Sequence, residues 1–266
     1  MFYYYGAKNQ LAKHYPAPSW GTIIEPFAGS AGYSQFWRKT IRQAILIEKD
    51  ERVVELWHQL LRMTPEAILA LPTPEVGAYY DQPMDMLIKM AAASNGVSAM
   101  AGPLACPKRV VGVWPGMLRR MAARVDDLRN WVVIHGDYTD SIDYVQRHYP
   151  VGSRFTWFID PPYQPRATTS KAWTPLGAGY RGAGLDYAAL GAWVDELPGQ
   201  VIVCEQEGAD WHPGFRPLRV NQDSQGRFSQ EVIATWERCG SACPRKFSEP
   251  CSPSSEDIFG SCYLPA

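Results

Sequence analysis

Nowhere does this sequence run to the roughly 20 consecutive apolar residues that a membrane-spanning helix requires. Its first residues also lack the basic, apolar and small-residue order of a secretory leader, so a cytoplasmic protein with no membrane partner is expected. Paired Cys-x-x-Cys spacing is missing as well. Of six cysteines, Cys106 and Cys204 sit in segments that read as interior or loop, while Cys239, Cys243, Cys251 and Cys262 fall in a Pro- and Ser-rich stretch without nearby histidines. Reduced thiols, no metal centre and an irregular tail over residues 239–266 are the expectation. Charge of one sign is lacking too: a net charge of -1 excludes a protein that coats nucleic acid through many neutralised phosphates. The glycines do not complete a Gly-x-Gly-x-x-Gly fingerprint, which argues against a nicotinamide enzyme and for another adenosine-bearing ligand. No internal repeat is present.

What is there has the grammar of an α/β protein. A chain of 266 residues, 46% of them hydrophobic, can bury one full-sized core and carry a smaller module. Residues 22–26 form a β-branched run ending in Glu25-Pro26, followed by Phe27-Ala28-Gly29-Ser30-Ala31-Gly32 and an aromatic-rich helical pattern. Residues 43–48 read as a second buried strand that stops at Glu48, with a helix over 53–63. Strand, helix, strand, helix predicts a parallel sheet. Prolines then punctuate residues 64–130, which read as a small, mainly helical inserted subdomain. The sheet pattern resumes at 131–135, before Gly136-Asp137-Tyr138, and at 155–159, before Asp160-Pro161-Pro162-Tyr163. After a polar loop come a helix over 187–196, a strand over 200–205, and runs at 215–220 and 231–236 that suit an antiparallel edge hairpin around a turn at 223–226. The expected domains are thus 1–63 with 131–238, the insert 64–130, and the tail.

An open parallel sheet binds ligands beyond the carboxyl ends of its strands, and this sequence places its glycines and acids there. The turn Phe27 to Gly32 lets backbone approach a ligand closely, although a tight packing turn would use the same residues. Glu48 stands where a nucleotide-binding sheet puts a carboxylate for ribose hydroxyls, or else is an ordinary strand-end acid. In Asp160-Pro161-Pro162-Tyr163 the prolines remove backbone donors and fix φ. Carboxylate and backbone carbonyls are then stiff outward acceptors with an aromatic beside them, a geometry that grips an amino group on a planar ring.

These residues, with Glu25-Pro26-Phe27-Ala28-Gly29-Ser30 and the N-terminal Tyr4-Tyr5-Gly6-Ala7-Lys8, resemble the Dam-type DNA adenine methyltransferases of bacteria and phages. The resemblance spans roughly residues 1–236 and follows the family's order of motifs. It implies a Rossmann-like methyltransferase sheet, S-adenosyl-L-methionine as cofactor, and double-stranded DNA as partner, modified at the N6 amine of adenine. By the same resemblance Tyr4 and Lys8 flank cofactor and flipped base, Phe27, Ala28, Gly29 and Ser30 form the cofactor turn, and Glu48 replaces the more usual Asp at the ribose. Asp137 and Tyr138 match a Gly-Asp-Phe element at the cofactor's adenine, and Asp160, Pro161, Pro162 and Tyr163 match the catalytic pocket, Asp160 also bordering the cofactor. The short insert differs from the better-known members, and the tail has no counterpart.

A base inside a duplex cannot reach such a pocket, so the adenine has to be flipped out and the backbone gripped nearby. Candidates are Lys108, Arg109, Arg119, Arg120 and Arg124 in a net-positive stretch, with Arg166, Lys171 and Arg181 on the loop that carries Trp173; a solvated helix face and a surface loop would look the same. The same tetrapeptide also serves transfer to cytosine N4, to RNA adenine or to a glutamine side chain, and a DNA-binding module without catalysis is a further reading. No motif encodes the target sequence, a partner restriction enzyme or an oligomeric state; a monomer is the default.

Overall fold

A computed structural model of the protein describes residue 8 and residues 11–92, 105–164, 184–218 and 231–238. Its centre is a seven-stranded sheet: β1 (Thr22–Glu25), β2 (Gln43–Glu48), β3 (Val132–His135), β4 (Phe155–Ile159), β5 (Gly199–Gln206), β6 (Arg216–Leu218) and β7 (Glu231–Arg238). The strands lie in the order β3-β2-β1-β4-β5-β7-β6. The first five are mutually parallel and β7 runs antiparallel to both its neighbours, so the expected Rossmann-like sheet with an antiparallel edge pair is what forms.

Strands β1 and β4 are buried along their whole length, because a parallel sheet is covered on both faces and selects unbroken apolar runs. Alternation divides their side chains. Ile24, Ile45, Ile47, Trp157, Ile159 and Val203 point to one face, where α6 (Asp140–His148) and α7 (Tyr187–Glu196) cover them. On the other face Ala44, Leu46 and Val133 meet α2 (Glu51–Arg62), and Ile23, Phe158, Ile202 and Cys204 meet Tyr33 of α1 (Gly32–Trp37) together with Leu11 and Tyr15. Tyr33 stacks on Phe158 with ring centroids 4.2 Å apart.

Helix α2 begins at an Asp50 cap whose side chain accepts the Arg52 N–H, and α3 (Pro65–Leu69) at a Thr64 cap with Pro65 in the first turn, where its missing N–H costs nothing. Helices α4 (Met84–Ala92) and α5 (Lys108–Val125) complete the described part of residues 64–130. Their apolar faces join the sheet's own cluster: Ile68, Met86, Ile88, Trp114, Met117 and Met121 belong to the same buried group as Leu46, Trp57 and Val133. The helical segment therefore leans on one face of the sheet through continuous apolar packing, with α5 as the common support of α3 and α4.

Candidate active site

Parallel register brings four strand ends to one edge. Glu48 pairs with His135, so Gly136-Asp137-Tyr138 emerges beside Glu48; Ile24 pairs with Trp157, so Phe27 and Asp160 each lie three residues beyond a paired position on adjacent strands. The expected convergence of the glycine turn, the strand-end acid and the proline corner is present.

The turn after β1 is locked to β2 and α2. Gly29 adopts φ 47 and Ala31 φ 50, left-handed values that glycine tolerates and that alanine holds here only because the surroundings impose them. The Gly29 N–H donates to Glu48 Oε2 at 2.8 Å, the Ala28 N–H to the Ile47 carbonyl at 3.0 Å, and the Gly29 carbonyl accepts the Trp57 indole N–H at 2.9 Å. Glu48 Oε1 accepts the Asp50 N–H at 2.8 Å. Burial raises the pKa of the Glu48 carboxyl, the backbone N–H donors of Asp50, Gly29 and Lys49 opposing the shift without cancelling it. Three N–H donors on about four acceptor sites leave the carboxylate room for a further donor. The Ser30 hydroxyl is buried in the same turn with no hydrogen-bond partner among the described residues. Phe27 and Tyr138 stack at 5.4 Å with planes 23° apart, and Trp193 meets Tyr138 edge-on at 4.9 Å, giving the turn an aromatic wall. Asp137 carries an exposed ion pair to Lys49 at 2.8 Å, and its N–H is held by the Asp140 carboxylate.

Around the proline corner the polar groups are more tightly engaged than the sequence suggests. Asp160 Oδ1 is paired with Lys8 Nζ at 2.8 Å, and Lys8 reaches Glu231 Oε1 at 3.5 Å. Lys8 lies 4.8 Å from the centre of the Tyr163 ring, and the Tyr163 hydroxyl donates to Glu231 at 3.2 Å. Tyr15 donates its hydroxyl to the other Glu231 oxygen. Burial lifts the Asp160 carboxyl to about 6 against the pull of Lys8, while Asp160 and Glu231 together outweigh burial at Lys8 and hold its ammonium above the ordinary lysine range. At neutral pH the site thus holds a carboxylate and an ammonium in contact.

The sequence predicts outward carbonyls at both Pro161 and Pro162, but the Pro162 carbonyl accepts the Tyr187 hydroxyl of α7 at 2.8 Å. The Pro161 carbonyl accepts no hydrogen bond among the described residues. From β5, the buried Glu205 receives the Gln164 N–H and the Trp211 indole N–H, each at 3.0 Å, and so pins the exit of the corner.

Lys108, Arg109, Arg119 and Arg120 lie exposed along α5. Arg124 differs from them: it is half-buried and donates to Gln35 Oε1 at 3.3 Å, with its pKa lowered by burial and by Arg38 and Arg120. Packing against α1 is its visible engagement. Tyr4, Arg166, Lys171, Trp173, Arg181, the turn at 223–226 and the cysteines of the tail lie outside the described residues. Glu231, Tyr15, Glu205 and Tyr187 were not foreseen as site residues; each reaches the corner from a distant part of the chain, and no local spacing signals that.

Among the described residues no group of three or more His, Cys, Asp or Glu side chains is arranged to hold a metal ion, Cys106 and Cys204 are buried free thiols, and no helix is long and apolar enough to cross a membrane. No family model matches the chain, and no curated protein does. Among solved structures it is similar to a SAM-dependent methyltransferase from Neisseria gonorrhoeae at 12% identity, over 89% of this chain and 69% of that one, with a TM-score of 0.36.

Proposed function

We propose that the chain is an S-adenosylmethionine-dependent methyltransferase that modifies the N6 amine of an adenine flipped out of double-stranded DNA. One observation carries the reading: a glycine turn clamped to a buried strand-end acid stands next to an Asp-Pro-Pro-Tyr corner on the same edge of a parallel sheet.

The donor set suits the cofactor. Glu48 has acceptor capacity left for a ribose hydroxyl, Ser30 offers a buried hydroxyl that no described group engages, and Phe27 with Tyr138 gives an aromatic surface for a planar ring. Bound there, S-adenosylmethionine supplies an electrophilic methyl group that needs no further activation. The protein's part is positioning. Asp160 and the Pro161 carbonyl accept the two hydrogens of the target amine, which favours a more tetrahedral nitrogen with its lone pair directed outward. Tyr163 supports the base by stacking, its ring steadied through its hydroxyl on Glu231. As a carboxylate at neutral pH, Asp160 is an acceptor only, and it can take up the proton that the methylated amine releases. Lys108, Arg109, Arg119 and Arg120 on α5 offer the phosphate grip that a flipped base demands.

Purified protein, unmodified DNA and radiolabelled cofactor test this directly, with the digested nucleosides separated. Label is expected in N6-methyladenine. Label confined to N4-methylcytosine, transfer to RNA instead of DNA, or no transfer to either polymer would replace the reading with another acceptor.

A further inference from the structure

The acid at the start of β7 belongs to the site although it lies far from every motif. Glu231 receives hydroxyl hydrogen bonds from Tyr15 and Tyr163 on its two oxygens and stands 3.5 Å from the ammonium that pairs with Asp160. It is the described group that ties the aromatic of the corner, the N-terminal lysine and the antiparallel edge of the sheet together. Register explains how it gets there: Glu231 pairs with Gln206 at the end of β5, whose side chain in turn holds the Gln164 carbonyl just past the corner.

We infer that Glu231 is a positioning residue for amine transfer: it fixes the Tyr163 ring and divides the Lys8 charge between two carboxylates, so that Asp160 is not neutralised as an acceptor. The inference rests on the transfer chemistry proposed above. Its electrostatic half can be checked without it. With Lys8 shared, Asp160 keeps a carboxylate that competes for an incoming N–H donor; with Lys8 held by Asp160 alone, the pair closes on itself and that acceptor is weakened. Groups facing Asp160 from the surrounding elements are Lys8, Glu25 at the end of β1, Tyr15, Tyr163, Cys204 and Glu205 on β5, and Glu231. Of these, Lys8 and more weakly Tyr163 lower the Asp160 value and Glu231 raises it, so Lys8 and Glu231 act against each other on the same carboxyl.

The test is a carbon-NMR titration of the Asp160 carboxyl in the full chain and in Glu231→Gln, which keeps an acceptor for a tyrosine hydroxyl but removes the charge. The Asp160 midpoint is expected to fall from about 6 in the variant. If the parent protein transfers methyl groups, the acid limb of kcat moves down with it, kcat drops, and cofactor affinity is unchanged. An unmoved midpoint overturns the inference whatever the activity. A parent protein that binds cofactor but transfers to no nucleobase sinks the proposed function and leaves the midpoint shift to judge the electrostatics. Should Glu231→Gln fail to fold, Glu231→Asp, which draws the carboxylate back from Lys8, is titrated instead: the Asp160 midpoint is expected to fall there too, and an unmoved midpoint would overturn the inference.

Discussion

Glu25 ends β1 as a buried acid with no cation paired to it among the described residues, accepting the Ser34 N–H at 2.7 Å at the start of α1. Burial pushes its carboxyl from 4.5 up to about 8, and Glu205 on β5 is raised by burial to about 7. Both shifts favour the protonated folded state. Their contribution to stability is complete below the unfolded carboxyl value and is lost as pH climbs through the folded one, at about 1.4 kcal/mol per pH unit per group inside that window. Glu25→Gln retains an acceptor for Ser34 and cannot ionise. Its thermal midpoint is expected to decline less steeply than the parent's between pH 4.5 and about 8, as calorimetry across that range would record; parallel declines would mean that Glu25 is ionised in the fold. At this scale the sequence was only half legible. Asp160 and Tyr163 announce themselves through the prolines between them, but Glu231 lies far along the chain from Tyr163 and meets it only because β7 turns back against β5.

Helix α5 has two faces with different work. Val110, Trp114, Met117, Leu118 and Met121 bury one side against α3, α4 and the sheet cluster, leaving Lys108, Arg109, Arg119 and Arg120 outward. If the outward face grips phosphates, Arg119→Ala with Arg120→Ala weakens DNA binding and flattens the dependence of log K on log salt by about 0.9 per lost contact. Fluorescence anisotropy over a salt series measures that slope, and an unchanged slope would move the DNA surface elsewhere. Elements were readable to the degree that burial patterned them. The strands β1, β2 and β4 are covered on both faces and so stand out as apolar runs, whereas α6 is a short helix that sets only the partly buried Ile142, Tyr144 and Val145 against the sheet and so gives a weaker signal. Its presence follows from topology: β3 and β4 run parallel, and the chain must cross over between them.

Across the whole molecule, sheet order decides what the motifs can do together. With β1 central between β2 and β4, the glycine turn has the Glu48 acid on one side and the Asp160 corner on the other, and their separation in sequence becomes adjacency at one edge. That arrangement could be anticipated from the alternation of strands and helices, because parallel strands place all their carboxyl ends alike. Lys8 beside the corner was implied only by the resemblance, and what could not be anticipated is the wiring of the corner to α7 and to β7, which depends on three-dimensional closure. If cofactor binds on one side of the edge and the acceptor on the other, a paired measurement separates them: calorimetric titration with S-adenosylmethionine and methyl transfer to DNA, on Glu48→Gln and Asp160→Asn. Glu48→Gln is expected to lose cofactor affinity, and Asp160→Asn to keep it while transfer collapses. Equal loss of affinity in both variants, or full transfer by Asp160→Asn, would contradict the division of labour on which the proposed chemistry stands.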